Sequence, residues 1–254
     1  MFIDTHIHLN MEQYDKDRDD VVARASRAGV KKIIDVSTDI ESGIKSRELA
    51  AAYDEIFSAV GIHPHEASTW SEETEVSLRQ LLTGPKIVAL GEIGLDYYYD
   101  YSPREAQHYA FRQQLRLAQD LHLPVIIHVR EAMSDALRIL EEEADGIRGV
   151  FHCFGGDAAD AREVVARGFH VSFTGVVTFK NFKRTDAVAA VPLENLLLET
   201  DGPFMAPVPY RGKRNESAFM VKTAEKIAEI KDTTLDFISG AILENSRFLF
   251  TLGE

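Results

Sequence analysis

The chain has 254 residues, 45% hydrophobic and 27% charged, an ordinary composition for a folded protein with no sign of disorder. Its 41 acidic and 28 basic residues give a formal charge of −13, which argues against broad, non-specific adhesion to nucleic acid or anionic membrane but not against a polyanionic substrate met at a metal-bearing site. The single Cys153 excludes an internal disulfide and a thiolate metal cage, and no apolar stretch approaches the ~20 residues of a membrane helix.

In chain order, short β-branched runs alternate with longer stretches of helical period. The first predicted strand is "FIDTHIHL" (2–9); starting at Phe2, it leaves no room for a signal peptide, so a cytoplasmic protein is expected. Side chains two apart on a strand point the same way, so Asp4, His6 and His8 are expected to form one polar row. The helical segment "DRDDVVARASRAG" comes next, then strands "KKIIDVS" (31–37), "IFSAVGIH" (56–63) and "KIVALGEIG" (86–94). The segment "REAQHYAFRQQLRLAQDLHL" begins after Ser102-Pro103, read as a cap and first-turn pair. Strands "PVIIHV" (124–129), "GVFHCF" (149–154), "GFHVSFTG" (168–175) and "NLLLETD" (195–201) complete a set of eight, and "TLDFISGAILENSRFLF" supplies one or two closing helices.

Repeated βα units with near-continuous apolar strands indicate a parallel sheet buried on both faces. Eight such units fit an α/β fold of the TIM (β/α)8 barrel type, a size at which ~250 residues is typical. An open doubly wound sheet predicts a glycine-rich phosphate turn after the first strand, and the residues there are "LNMEQYD". With no linker and no low-complexity tract, residues 1–254 read as a single domain.

In such barrels chemistry sits at the C-terminal ends of the strands. His6 and His8 end the first predicted strand, and His63 and His65 follow the third. Glu92 ends the fourth, His128 the fifth, His152 the sixth and Asp201 the eighth. One H-x-H pair is a weak signal, but imidazole or carboxylate at five strand ends of one rim points to a metal centre. Donors of this kind suit Zn, Mn, Ni or Mg, and six of them exceed what one catalytic ion with an open position needs. Two ions about 3.5–4 Å apart use them economically. We assign His6, His8 and Asp201 to one ion and His128 and His152 to the other, with Glu92 bridging. Glu92 and Asp201 are the candidate catalytic carboxylates, Asp201 as proton acceptor. His108, His122 and His170 read as surface or structural, and Cys153 as alternating away from His152 to pack against a helix.

Around this cluster the loops turn basic. Arg130 follows His128, "FKNFKR" (179–184) follows the seventh strand and "YRGKRNE" (210–216) the eighth. Barrels often hold phosphate on the last two of these loops, and Arg recognises a phosphodiester with its planar fork. The aromatics of "YYYDY" (97–101) offer base-stacking faces.

The ordered set "DTHIHLN", "GIHPHEA", "GEIGLDYYYD", "IIHVREA", "FHCFGG", "TFKN", "ETDGPF" and "YRGKRNE" resembles the TatD family of metal-dependent deoxyribonucleases within the amidohydrolase superfamily, over nearly the whole chain. The resemblance implies a TIM barrel, a dinuclear divalent-metal site and hydrolysis of DNA, often as a 3′→5′ exonuclease. It implies the ligands His6, His8, Glu92, His128, His152 and Asp201, and places His63, Arg130 and Arg211 where relatives approach the bound phosphate. Asn10 stands where many relatives have Asp, Gly155 where Ser is common, and Ser217 where Pro usually follows Asn-Glu. These departures remove no ligand.

The expected partner is therefore DNA, single-stranded or at a 3′ end, with no membrane and no obligate protein partner. The alternative is a D-aminoacyl-tRNA deacylase, or another ester or amide hydrolase of the amidohydrolase type, using the same metal site. Many amidohydrolases bridge their metals with a modified lysine at the end of the fourth strand, where this chain has Glu92. Phosphoesterases like histidinol phosphatase also start with H-x-H, but their pattern ends in Asp-x-His, and "TDGPF" offers no histidine. A non-catalytic metal-binding scaffold is the remaining class.

Overall fold

The β-branched runs form eight strands. These are β1 Phe2–Ile7, β2 Val30–Val36, β3 Ile56–Val60, β4 Ile87–Asp96, β5 Val125–Arg130, β6 Gly149–Phe151, β7 His170–Phe173 and β8 Leu196–Leu198. The computed structural model describes residues 1–99 and 101–253; Asp100, within the "YYYDY" stretch, and Glu254 lie outside the described residues. Neighbours pair in parallel in the order β1 to β8. The seam between β8 and β1 closes just beyond β8, where Asp201 N donates to His6 O (2.8 Å) and His8 N to Gly202 O (2.8 Å). The result is the expected (β/α)8 barrel.

Nine helices are described, namely α1 Arg18–Arg27, α2 Ile40–Ala52, α3 Glu72–Leu82, α4 Arg104–Leu121, α5 Met133–Glu143, α6 Ala158–Ala166, α7 Thr185–Ala190, α8 Met220–Ile230 and α9 Leu235–Phe250. None is long and apolar enough to cross a membrane among the described residues. Apolar side chains on the outer face of the strands, such as Ile33, Val60, Ile93, Ile127 and Phe151, pack with helix residues such as Val21, Leu78, Phe111 and Ile139. A second cluster joins Ile3, Ile34, Ala59, Ala89, Ile126, Val150 and Leu197 to Leu249 and Phe250 of α9. It is the floor of the barrel. By the strand period of two, Ile126 and Val150 lead directly up to His128 and His152 on the same face.

Several ends differ from the sequence-based expectation. β1, β3, β6, β7 and β8 stop short, which leaves His8, His63, His152 and Asp201 in the first residues of their loops. β4 runs on to Asp96, so Glu92 lies inside it, and a register shift between Leu90 and Ile93 interrupts the alternation there. Ser102 does not cap α4. Pro103 occupies that position, and the Ser102 hydroxyl instead donates to His65 O (2.7 Å) and accepts from Ser68 N (3.1 Å).

Candidate active site

The C-terminal mouth of the barrel holds a cavity of about 630 Å³, walled by His8, His63, Glu92, His128, His152 and Asp201 among others. Glu92, only 3% exposed, is its hub. Its Oε2 lies 3.4 Å from His6 Nε2 and 3.8 Å from His8 Nε2; its Oε1 lies 2.6 Å from His152 Nε2 and 2.7 Å from His128 Nδ1. Asp201 Oδ1 faces His8 Nε2 at 3.5 Å and His6 Nε2 at 3.8 Å. All six residues singled out as ligands therefore converge, although β1, β4, β5, β6 and the loop after β8 bring them from distant parts of the sequence. His63 joins them, with Nε2 3.5 Å from Glu92 Oε1.

The donor chemistry fits cations. His8 Nδ1–H donates to Val36 O (2.8 Å), which turns Nε2 toward His6 Nε2 at 3.3 Å. His6 Nδ1 is buried without a hydrogen-bond partner, and His152 turns its Nε2 to the cluster while its Nδ1, also without a hydrogen bond, lies 3.4 Å from Glu199 Oε1. Converging buried lone pairs are costly unless a proton or a metal sits among them. Three overlapping groups have ligand atoms close enough to share an ion: His6, His8 and Glu92; His6, His152 and Asp201; and His63, Glu92 and His128.

The electrostatics agree. Burial would raise the Glu92 carboxyl, but the neighbouring His152 charge and the hydrogen bonds from His128 and His152 hold it well below the usual range. Burial likewise opposes ionisation of Asp201, and the hydrogen bond from His8 with the nearby imidazole charges overcomes it. Burial would lower His8, yet the Asp201 hydrogen bond and the Glu92 charge push it up to about 9. His63 goes the other way, lowered by burial to about 4. Both carboxylates are thus anions at neutral pH.

Arg130 and His65 line the same cavity. Arg211 does not belong to its described wall; its guanidinium stacks over Phe179 at 4.3 Å. In the same basic loop Arg214 turns away to pair with Asp17 (2.7 Å), so the loop is pinned to the segment before α1 by an ion pair. His108 binds the Tyr97 hydroxyl (2.5 Å), His122 ends α4 in a left-handed conformation, and His170 is buried at the start of β7.

Two expectations are corrected. Asp4 does not share a face with the histidines: a register shift between Asp4 and Ile7 breaks the alternation, and its carboxylate accepts from Thr200 N (2.9 Å), Thr200 Oγ1 (2.6 Å) and Ser217 Oγ (2.7 Å). Burial raises its pKa to about 7. Cys153 does not pack on a helix. Past the end of β6 its φ of +43° turns the chain, its N–H donates to Glu199 Oε1 (2.5 Å), and its thiol lies on the cavity wall, 3.6 Å from Met205 Sδ.

Sequence reasoning missed two supporting carboxylates. Asp96 Oδ2 accepts from His128 Nε2 (3.2 Å) and His65 Nε2 (3.0 Å). Glu199, fully buried, lies 3.4 Å from His152 Nδ1 and accepts from Ser172 Oγ (2.5 Å). Imidazoles that bind metal commonly donate their other N–H to such a group. The signal was present in "GLD" and "LET", next to motifs already marked.

A closed barrel with this donor set at its mouth defines a class, the metal-dependent hydrolases of the (β/α)8 fold. The sequence profile described as "TatD related DNase" matches residues 3–251, and the chain belongs to that family. It is 43% identical to the "uncharacterized metal-dependent hydrolase YabD" of Bacillus subtilis (strain 168), with 99% of this chain and 100% of the relative covered. It is 35% identical to the "3'-5' ssDNA/RNA exonuclease TatD" of Cronobacter sakazakii (strain ATCC BAA-894), over 97% of each. The crystal structure of YJJV, a TatD homolog from Escherichia coli K12, superposes with a TM-score of 0.94 at 32% identity, covering 99% of this chain and 98% of that one. The protein is a TatD-family metal-dependent hydrolase.

Proposed function

We propose that the enzyme hydrolyses phosphodiester bonds of single-stranded DNA, removing nucleotides from the 3′ end, with two divalent cations (Mg, Mn, Zn or Ni) at the mouth of the barrel. His6, His8 and Asp201 would hold one ion and His128 and His152 the other, with Glu92 shared between them. The observation that carries this reading is the span of Glu92, whose Oε2 faces His6 and His8 while Oε1 faces His128 and His152. Relatives described as 3′-5′ ssDNA/RNA exonucleases support a single-stranded nucleic-acid substrate. A thiol on the cavity wall suits the reducing cytoplasm as the working compartment.

When bound, the ions lower the pKa of a water and offset charge on the phosphoryl oxygens. Asp201, anionic beside His8, accepts the proton as the water attacks phosphorus in line with the departing oxygen. His63 Nδ1 accepts from His65 N (3.1 Å), so its Nε2 carries the proton and donates to a non-bridging phosphate oxygen. Arg130 presents two N–H groups of its planar fork to the same phosphate. Arg211 contacts the backbone further along the strand.

The test is incubation with a panel of divalent metals and end-labelled single-stranded DNA, beside a D-aminoacyl-tRNA and a simple ester. Stepwise release of nucleotides from the 3′ end supports the proposal. Deacylation or ester hydrolysis without DNA cleavage transfers the site to the alternative substrates, and activity on none of them defeats hydrolysis by this cluster. Metal analysis of Glu92→Ala checks the bridge: loss of at least one ion is expected, and two ions still tightly held would remove it.

A further inference from the structure

Beside the metal-ligating cluster, the loop after β4 exposes three tyrosines that a simple connection would not need. Tyr98 is 54% exposed, Tyr99 38% and Tyr101 68%, and large aromatic side chains left in water next to a cavity mark a binding surface. Their arrangement is ordered. The rings of Tyr99 and Tyr101 are parallel within 2°, with centroids 5.5 Å apart, and the edge of His65 rests against both at 5.4 and 4.8 Å. The Arg130 guanidinium lies over Tyr98 at 3.8 Å and Tyr99 at 4.8 Å.

The platform is fixed to the candidate metal centre through one carboxylate. Asp96, 1% exposed, accepts from Tyr98 N (2.9 Å) and Tyr99 N (3.0 Å) with Oδ1. With Oδ2 it accepts from His65 Nε2 (3.0 Å) and His128 Nε2 (3.2 Å). The aromatic faces and the candidate metal ligand His128 therefore cannot shift independently.

We propose that Tyr99, supported by Tyr101 and His65, is the subsite for an unpaired nucleobase of the nucleotide whose phosphate Arg130 binds; this deepens, and rests on, the phosphodiesterase reading above. A guanidinium stacked on an aromatic ring within a solvent-exposed aromatic cluster offers one group to each half of a nucleotide, the cation to the phosphate and the rings to the base. A base held in a duplex cannot reach such a face, so the subsite selects unpaired ends. Because every base has a π-face, the selection is tolerant of sequence.

The experiment compares, with the metal-loaded enzyme, KM for a single-stranded oligonucleotide and for the same strand with abasic sites at its three 3′-terminal positions. One lost stacking contact is expected to raise KM on the abasic strand by about 5- to 150-fold. In Tyr99→Ala, and less steeply in Tyr101→Ala, the ratio of the two KM values falls toward one, while Tyr99→Phe restores it. Wild-type enzyme that cleaves both strands with equal KM overturns the subsite and leaves the phosphodiesterase reading standing. Cleavage of neither strand overturns both.

Discussion

Glu199 offers a test of how the fold tunes the site without touching substrate. Its Oε1 receives Cys153 N at 2.5 Å and faces His152 Nδ1 at 3.4 Å, its Oε2 receives Ser172 Oγ at 2.5 Å, and none of the side chain is exposed. In Glu199→Gln the amide oxygen can still accept from Cys153 N, and the amide nitrogen meets a hydroxyl that can itself accept. The structural cost is thus small, about 1 kcal/mol or less. What disappears is the negative charge behind His152, which makes that imidazole a stronger donor toward the cavity. Loss of such a partner weakens metal affinity by about 10- to 100-fold, or roughly 1.4–2.7 kcal/mol.

Glu199→Leu is the contrasting variant. It leaves Cys153 N and the Ser172 hydroxyl buried without an acceptor, at about 1–3 kcal/mol each. Competition titration against a chelator reads metal affinity, and thermal unfolding reads stability. The Gln variant is expected to lose affinity while keeping its unfolding temperature; the Leu variant is expected to lose both. Metal affinity in Glu199→Gln within twofold of wild type would show that the carboxylate does not tune His152, and equal destabilisation of the two variants would make its role structural.

Other expectations follow from single contacts. Gly94 has φ +139°, and a Cβ there would lie 2.0 Å from His128 O, so Gly94→Ala should cost about 2–5 kcal/mol and lower the melting temperature by roughly 5–15 °C; an unchanged melting curve refutes the overlap. Ser217→Ala removes one donor from the buried Asp4 carboxylate, for an expected loss of about 1–3 kcal/mol by chemical denaturation, and Ser217→Pro loses the same bond. Asp17, hydrogen-bonded by Arg214 and Arg24, has its pKa lowered to about 2 from 3.8. Its depressed folded-state value means the contribution is complete above about pH 4 and lost as pH falls toward 2, and exposure to solvent holds it to at most about 1 kcal/mol. Asp17→Asn should therefore be less stable than wild type at pH 7 and equal to it near pH 2; a gap that persists at pH 2 refutes the assignment.

The barrel was legible because its signals are local: β-branched runs of strand length, each followed by a helical period, and polar residues clustered where each run ends. The six convergent candidate ligands were legible for the same reason. What escaped depends on distance or on backbone irregularity. Asp4 was placed beside His6 by strict alternation, and the register shift in β1 undoes that. Glu92 reads as the end of its strand because "GEIG" looks like a turn, yet β4 continues to Asp96. Cys153 follows a positive φ that no residue type announces. Glu199 and Asp96 find their imidazoles 47 and 32 positions away, and Arg214 finds Asp17 at a separation of 197. Ser217 and Asn10 show the opposite case, departures from the resembling family that the structure explains. Ser217 donates to Asp4, and the Asn10 amide donates to both oxygens of the buried Asp35 and to Val36 O.

On the proposed reading, an acidic chain that cuts a polyanion has to reverse its field where the substrate reacts. The formal charge of −13 is spread over a surface, and at physiological salt each charge is felt over only about 8–10 Å. Inside the mouth Glu92 and Asp201 are anions, and the two divalent ions proposed above would carry more positive charge than those carboxylates carry negative. Before metal arrives, imidazoles hold that place with protons, His8 among them with a pKa near 9. Metal and proton therefore compete for the same lone pairs, so metal affinity falls as pH falls. Without metal, protonated imidazoles such as His8 face the Glu92 and Asp201 carboxylates, so the mouth lacks the excess positive charge that divalent ions would bring. Loading of the ions and attraction of a phosphodiester are thus coupled by charge alone, before any contact with base or sugar is made.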